Sequence, residues 1–168
     1  DVDNLKYNIV IAATAEEESS GPLGLNSLLV DLPKLDIAIV GAPNRKRMIH
    51  QLAQFLDTSI FFVKNFNPSW DYKILLCVDD SRATKRAVIL STRISKQFSS
   101  EIKNVTVSKT TFFGKGYRNA NKWADRYLKR MDVSFSSILL SGNPVDEFIR
   151  EAGDDHIIIM GKSHGNEI

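Results

Sequence analysis

Three short stretches carry residue types that could do chemistry. The first is "DDHIIIMGKSHG", residues 154–165, where an apolar run meets Gly161, Lys162 and Ser163. A phosphate-wrapping loop of the Walker type needs G-x-x-x-x-G-K-[ST], so that backbone amides surround the phosphates before the lysine reaches them. The position of the leading glycine is held by His156, followed by Ile157, Ile158, Ile159 and Met160, which is strand and not loop. The Walker reading fails. A glycine at the carboxyl end of a parallel strand still has a use, because ligands of open α/β sheets sit beyond those ends and helix N-termini supply positive potential there. Position alone leaves Gly161 as either such a site or a plain strand end.

The second stretch is "CVDDSRATKRA", where Asp79, Asp80 and Ser81 fall at a strand-to-helix junction. Ser81 or Asp80 is expected to cap the helix. The remaining carboxylate would face the crevice, to hold a ribose hydroxyl or a metal-bound phosphate, or only to favour the helix dipole. The third, "FFGKGYRN", has Gly114 and Gly116 but lacks the third glycine of a dinucleotide fingerprint, so it reads as a flexible loop. His50, His156 and His164 are scattered without metal or triad spacing. Cys77, the lone cysteine, sits in "KILLCVDD" and reads as a small buried hydrophobe. Asn104 opens a glycosylation sequon, "NVT", which we discount because nothing else suggests secretion. No catalytic centre can be assembled from these residues.

The elements that must position them alternate. Strand-like runs are expected at 8–14, 36–42, 59–65, 73–79, 104–110, 136–141 and 156–161, several of them continuously apolar, as in a parallel sheet covered on both faces. Helical periodicity places Ala83, Ala87, Leu90, Ile94 and Phe98 on one face, then Ala120, Trp123, Ala124, Tyr127, Leu128 and Met131 on another. A shorter helix carries Val145, Phe148, Ile149 and Ala152, with Asn143 as cap, Pro144 in its first turn and Gly153 at its stop. A further helix is expected around Met48, Leu52, Phe55 and Leu56 after the basic run "RKR".

Composition is that of a globular protein, 43% hydrophobic and 25% charged over 168 residues. A net charge of +2 is too small to imply nucleic acid or an anionic membrane as partner. No apolar run approaches the roughly 18 residues of a membrane span. The start has no signal-peptide shape and no initiator Met, so the chain reads as part of something longer. The pattern strand, loop, helix, acidic residue, apolar run and glycine occurs twice, ending at "LDIAIVGAPN" and at "DDHIIIMGKSHG". This implies the closing part of one domain at 1–66, a linker at 67–72 around Pro68, and the opening and central parts of a similar domain at 73–168.

Those residues resemble the universal stress protein family. "YKILLCVDDSRATKRAV" is similar to its first strand, Val-Asp-x-Ser and long helix, and "SGNPVDEFIREAGDDHIIIMGKSHG" to its later strand, Gly-x-Pro, helix and strand ending in Met-Gly. "LDIAIVGAPNRKRMIHQLAQFLDTSIFFVKN" resembles the closing third of such a domain. The resemblance implies a doubly wound α/β fold with a mainly parallel five-stranded sheet, as in adenine nucleotide α-hydrolase-like proteins. It also implies tandem copies or homodimers that pair through the sheet edge.

One branch of the family binds ATP or AMP, with Mg where a triphosphate is held; another binds no nucleotide. By resemblance Asp79 matches the family's aspartate after the first strand, Val107 lies near the backbone contact to adenine, and Gly161 leads the phosphate loop. Gly165 follows one residue later than the family spacing, and the first copy has Asn44 where its second glycine belongs. The function implied is a non-catalytic, cytoplasmic regulatory protein that senses an adenine nucleotide. The alternative is a nucleotide-free regulatory domain in the same chain as a membrane transporter, such as a cation/proton antiporter, cation-chloride cotransporter or amino-acid permease, on its cytoplasmic face.

Overall fold

The structure is a computed structural model and describes residues 37–41, 59–63, 67–111 and 113–161. The chain divides into two compact units, Asp1–Phe66 and Asn67–Ile168. In the first unit, β1 (Ile37–Gly41) and β2 (Ser59–Val63) pair in parallel, Ile37 opposite Ser59 through to Gly41 opposite Val63. The expected strand at 8–14 and the expected helix around Met48–Leu56 lie outside the described residues.

The second unit runs β3 (Lys73–Cys77), α1 (Ala83–Phe98), β4 (Ile102–Ser108), α2 (Lys115–Arg130), β5 (Phe135–Ser141), α3 (Pro144–Ala152) and β6 (His156–Met160). Its strands form one parallel sheet in the order β5-β4-β3-β6. The architecture is the expected doubly wound α/β one, with four strands of the sheet among the described residues.

β3 explains why its sequence is apolar without alternation. Ile74, Leu76 and Val78 point into a core with Ala87 and Val88 of α1 and Ala124 and Leu128 of α2. Leu75 and Cys77 point to the opposite face, onto Val105, Val107 and Ala152, with Phe148 of α3 packed alongside. Both faces of the strand are therefore covered, and Ile74, Leu75 and Leu76 are each fully buried. Each such side chain contributes roughly 1.5–3 kcal/mol relative to exposure. Among the described residues no helix is long and apolar enough to cross a membrane.

Three expectations are corrected in detail. β4 starts at Ile102 and not at 104, because Ile102 pairs with Ile74 and Lys103 escapes the core by reaching Glu151 at 2.7 Å. The buried face of α1 is Thr84, Ala87, Val88, Ser91, Thr92 and Ser95, with Leu90 and Ile94 of the expected apolar stripe packed half-buried beside it and Phe98 71% exposed. Small residues let α1 lie close to the sheet; Thr92 donates its hydroxyl to the carbonyl of Val88 and Ser95 donates to that of Ser100. On α3, Phe148 and Ala152 pack inward while Val145 and Ile149 remain exposed.

The signals at the ends of α3 behave as expected. Asn143 Oδ1 accepts from the N–H of Val145 at 3.0 Å, Pro144 opens the first turn, and Asp146 and Glu147 lie at the positive end. Gly153 ends the helix at φ 54°, a conformation that favours glycine. At the entrance to β3, Asn67 Oδ1 accepts from Ser69 N–H and Oγ, and Asn67 N–H donates to Tyr72 Oη.

Candidate functional site at the carboxyl edge of the sheet

From β3 the chain passes to β4 on one side, while β6 lies on the other side of β3. At such a reversal, beyond the carboxyl ends of the strands, open α/β sheets place ligands. Cys77 stands opposite Met160, so the residues that follow, Val78–Ser81 and Gly161, leave the sheet side by side.

Asp79 is the organising residue of this edge. Its Oδ1 accepts from Ser81 N–H at 3.0 Å, Ser81 Oγ at 2.6 Å and Thr84 Oγ1 at 2.5 Å. The N–H of Asp79 donates in turn to Thr84 Oγ1 at 3.2 Å. Among the described residues its Oδ2 receives no hydrogen bond. Desolvation of the inward edge works to raise the pKa of Asp79, but the Ser81 and Thr84 donors outweigh it and hold the carboxyl below its ordinary value. The residue as a whole is exposed, so solvent screens part of that effect.

A folded-state pKa below the unfolded one adds stability that is present above the unfolded value and fades as pH falls through the folded value. Asp79→Asn is therefore expected to lose about 1 kcal/mol at pH 7. Urea titrations should show the gap from the parent chain closing as pH falls below about 4.

The expected cap is corrected. Neither Ser81 nor Asp80 caps α1, whose N-cap Arg82 makes no side-chain cap bond. Ser81 donates into Asp79 instead, an Asx-turn that competes with capping. The side chain of Asp80 lies against Gly116 in the first turn of α2, where a Cβ would stand 2.6 Å from Asp80 Oδ2. α2 has no acidic residue in its first turn and no capping side chain, so Asp80 supplies negative charge to its positive end from another element. Gly116 is a close-approach glycine and not a loop hinge.

Gly161 is also a close-approach residue. A Cβ there would stand 2.7 Å from the carbonyl carbon of Ala83, 2.8 Å from its Cβ and 2.9 Å from the amide nitrogen of Thr84. The end of β6 thus lies directly on the first turn of α1. Val107 is 4% exposed, its side chain buried among Leu75, Cys77 and Val105, so it can offer a ligand only its backbone. Gly165 lies outside the described residues. The structure brings Asp79, Val107 and Gly161 to one edge of one sheet.

The sequence reading missed Thr84, although a hydroxyl five residues after an aspartate at a helix start was a usable signal. It also missed a buried polar layer under α2. Asn104 Nδ2 donates to Asp125 Oδ1 at 2.8 Å and to Ser137 Oγ at 3.3 Å, and Asn121 Nδ2 donates to Thr106 Oγ1 at 3.2 Å. Asn104 is fully buried, so its sequon is inaccessible in the folded unit. Cys77 is buried as expected; desolvation, then the charge of Asp79, pushes its thiol up to about 12, which leaves it inert. Among the described residues no group of three or more His, Cys, Asp or Glu could hold a metal ion.

No protein-family model matches the chain, and no curated protein matches it. Solved structures do. A universal stress protein from Archaeoglobus fulgidus DSM 4304 aligns with a TM-score of 0.56 and 15% identity, over 76% of this chain and 51% of its own. A universal stress protein family member from Burkholderia pseudomallei aligns at 0.46 with 18% identity, over 56% of this chain and 84% of its own. One from Arabidopsis thaliana, solved with AMP bound, aligns at 0.36 with 11% identity, over 57% of this chain and 96% of its own. Likeness at such identities carries the fold and not the activity. By its parallel order β5-β4-β3-β6 and its similarity to the A. fulgidus structure, this chain has the universal stress protein fold.

Proposed function

We propose that the second unit is a non-catalytic regulatory module that binds an adenine nucleotide beyond the carboxyl ends of β3 and β6. The observation that supports this most is Asp79, ionised, held by three donors on one oxygen and, among the described residues, free on the other. The free Oδ2 would accept from a ribose hydroxyl. Beside it, the first turn of α1 has no capping side chain and no acidic residue, so its orphan N–H groups and positive dipole end suit a phosphate. Gly161 allows backbone to approach there without a Cβ. Mg would arrive with a triphosphate.

The same geometry argues for binding over catalysis. The hydroxyls of Ser81 and Thr84 both donate to Asp79, so neither is deprotonated for attack, and a carboxylate with a depressed pKa is a weak general base. Paired action of two such units, within one chain or between copies, is part of the proposal and rests on the repeated sequence pattern.

Calorimetric titration of the full chain with ATP-Mg and with AMP tests it, using Asp79→Asn, which keeps an acceptor for Ser81 and Thr84 while removing the charge. Micromolar binding weakened at least tenfold in the variant is the expected result. No heat from either nucleotide in the parent chain would sink the proposal. Gly161 would then be a packing residue only, and a nucleotide-free regulatory domain, as in a transporter tail, would take its place.

A further inference from the structure

The chain's net charge of +2 conceals a strong segregation. α2 carries Lys115, Arg118, Lys122, Arg126 and Lys129 at spacings of three and four, which makes one stripe along its outer face, and Arg130 follows at its end. α1 adds Lys85, Arg86, Arg93 and Lys96 and has no acidic residue at all. All of these are exposed, and among the described residues none is in an ion pair. The single carboxylate on the two helices, Asp125, is engaged by Asn104. Both helices pack on the same face of the sheet. The opposite face carries α3 with Asp146, Glu147 and Glu151, of which Glu147 and Glu151 are answered by Arg150 and Glu151 also by Lys103.

We propose that the α1–α2 face docks on an anionic lipid surface. The shape fits a plane: the fifteen residues from Lys115 to Lys129 span about 21 Å, and two helices side by side add roughly 10 Å between axes. Nucleic acid fits less well, because the aromatic residues of this face cannot receive bases. Trp123 and Tyr127 stack on each other at 5.6 Å, are half-buried against the core, and lie under Lys85 and Arg130 respectively. A sequence-tolerant stacking platform needs free ring faces. Phe98, 71% exposed at the end of α1, stands seven residues after buried Ser91 and so leaves the helix on its sheet-facing side, not among the cations. Docking on this face is therefore electrostatic, through the cations alone. The acidic character of α3 turns the unit over, basic face toward the bilayer.

This inference stands apart from nucleotide binding and is tested on the full chain by co-sedimentation with vesicles of phosphatidylcholine alone or with 30% phosphatidylglycerol (about 30 mol%, a composition chosen to give a strong surface charge). Binding to the anionic vesicles only, falling steeply from low to physiological salt, is expected. The triple variant Lys122→Gln, Arg126→Gln, Lys129→Gln should lower the partition constant by about a hundredfold. Phe98→Ala, off the basic face, should leave it unchanged. Arg150→Gln, on the other face, should leave it unchanged, and circular dichroism melts show that each variant is folded. Equal loss with Arg150→Gln, or no dependence on phosphatidylglycerol, would overturn the proposal. So would tighter binding to a single-stranded oligonucleotide than to vesicles, or pelleting without lipid, which would mean basic face to acidic face assembly of copies.

Discussion

Replacing Asn104 by aspartate is expected to destabilise the second unit by about 3–5 kcal/mol at pH 7, the scale for an uncompensated buried charge. The Nδ2 of Asn104 donates to Asp125 at 2.8 Å, and the side chain is fully buried. The substitution keeps shape and volume but turns that donor into a second carboxylate facing the first. Two carboxylates at that separation cannot both ionise, so the pKa of the pair rises in the folded state. The sign of the pH dependence follows. A raised carboxyl pKa removes stability wherever the pair should be ionised, and the loss shrinks as pH falls through the raised value. Urea denaturation at pH 7 and again near pH 5 should therefore show a partial recovery. An Asn104→Ala variant, which leaves a cavity and no added charge, should lose less at pH 7 and show no recovery. Equal stability of Asn104→Asp and the parent would mean that the Asn104–Asp125 bond does not hold α2 on the sheet.

The second large effect is at Gly161. Alanine there places a methyl 2.7–2.9 Å from backbone and Cβ atoms of Ala83 and Thr84, which belong to a helix and cannot step aside like the tip of a long side chain. Overpacking of this kind costs about 1–3 kcal/mol. For a unit of this size the melting temperature should fall by roughly 4–8 °C per kcal/mol. The contrast residue is Gly116, where the atom nearer than 3 Å is Asp80 Oδ2, which can rotate away, and Asp80 Cβ stands at 3.2 Å. Gly116→Ala should lose much less. If the two variants melt together, the end of β6 does not lie on α1 as described.

These two sites also show where the sequence was legible. The order of strands and helices, the continuous apolar character of β3 and the cap, proline and terminal glycine of α3 could all be read in advance, because each is a contact between neighbours or a periodicity of one element. The glycine of "MGKS" stands at a strand end, as its position implies, but position could not say what it touches. Helix faces were harder. The buried side of α1 is made of Thr84, Ser91, Thr92 and Ser95 as much as of Ala87 and Val88, and a search for apolar spacing passes over such hydroxyls, of which Thr92 donates to its own helix, Thr84 to Asp79 and Ser95 to Ser100. The sequon at Asn104, discounted because nothing else suggests secretion, is an interior polar tie.

What the sequence determined by itself is the α/β class, the parallel sheet, and the carboxyl-edge position of Asp79 and Gly161. All of this comes from local propensity and periodicity. What only the tertiary structure decided is which of these residues meet: Gly161 with Ala83, Asp80 with Gly116, Asn104 with Asp125. It also decided that cations on two separate helices make one face, which a net charge of +2 could not reveal. The physical reason is common to all four. Each is a contact or a juxtaposition across a closed loop, set by how helices seat on the sheet and invisible to any window shorter than the loop.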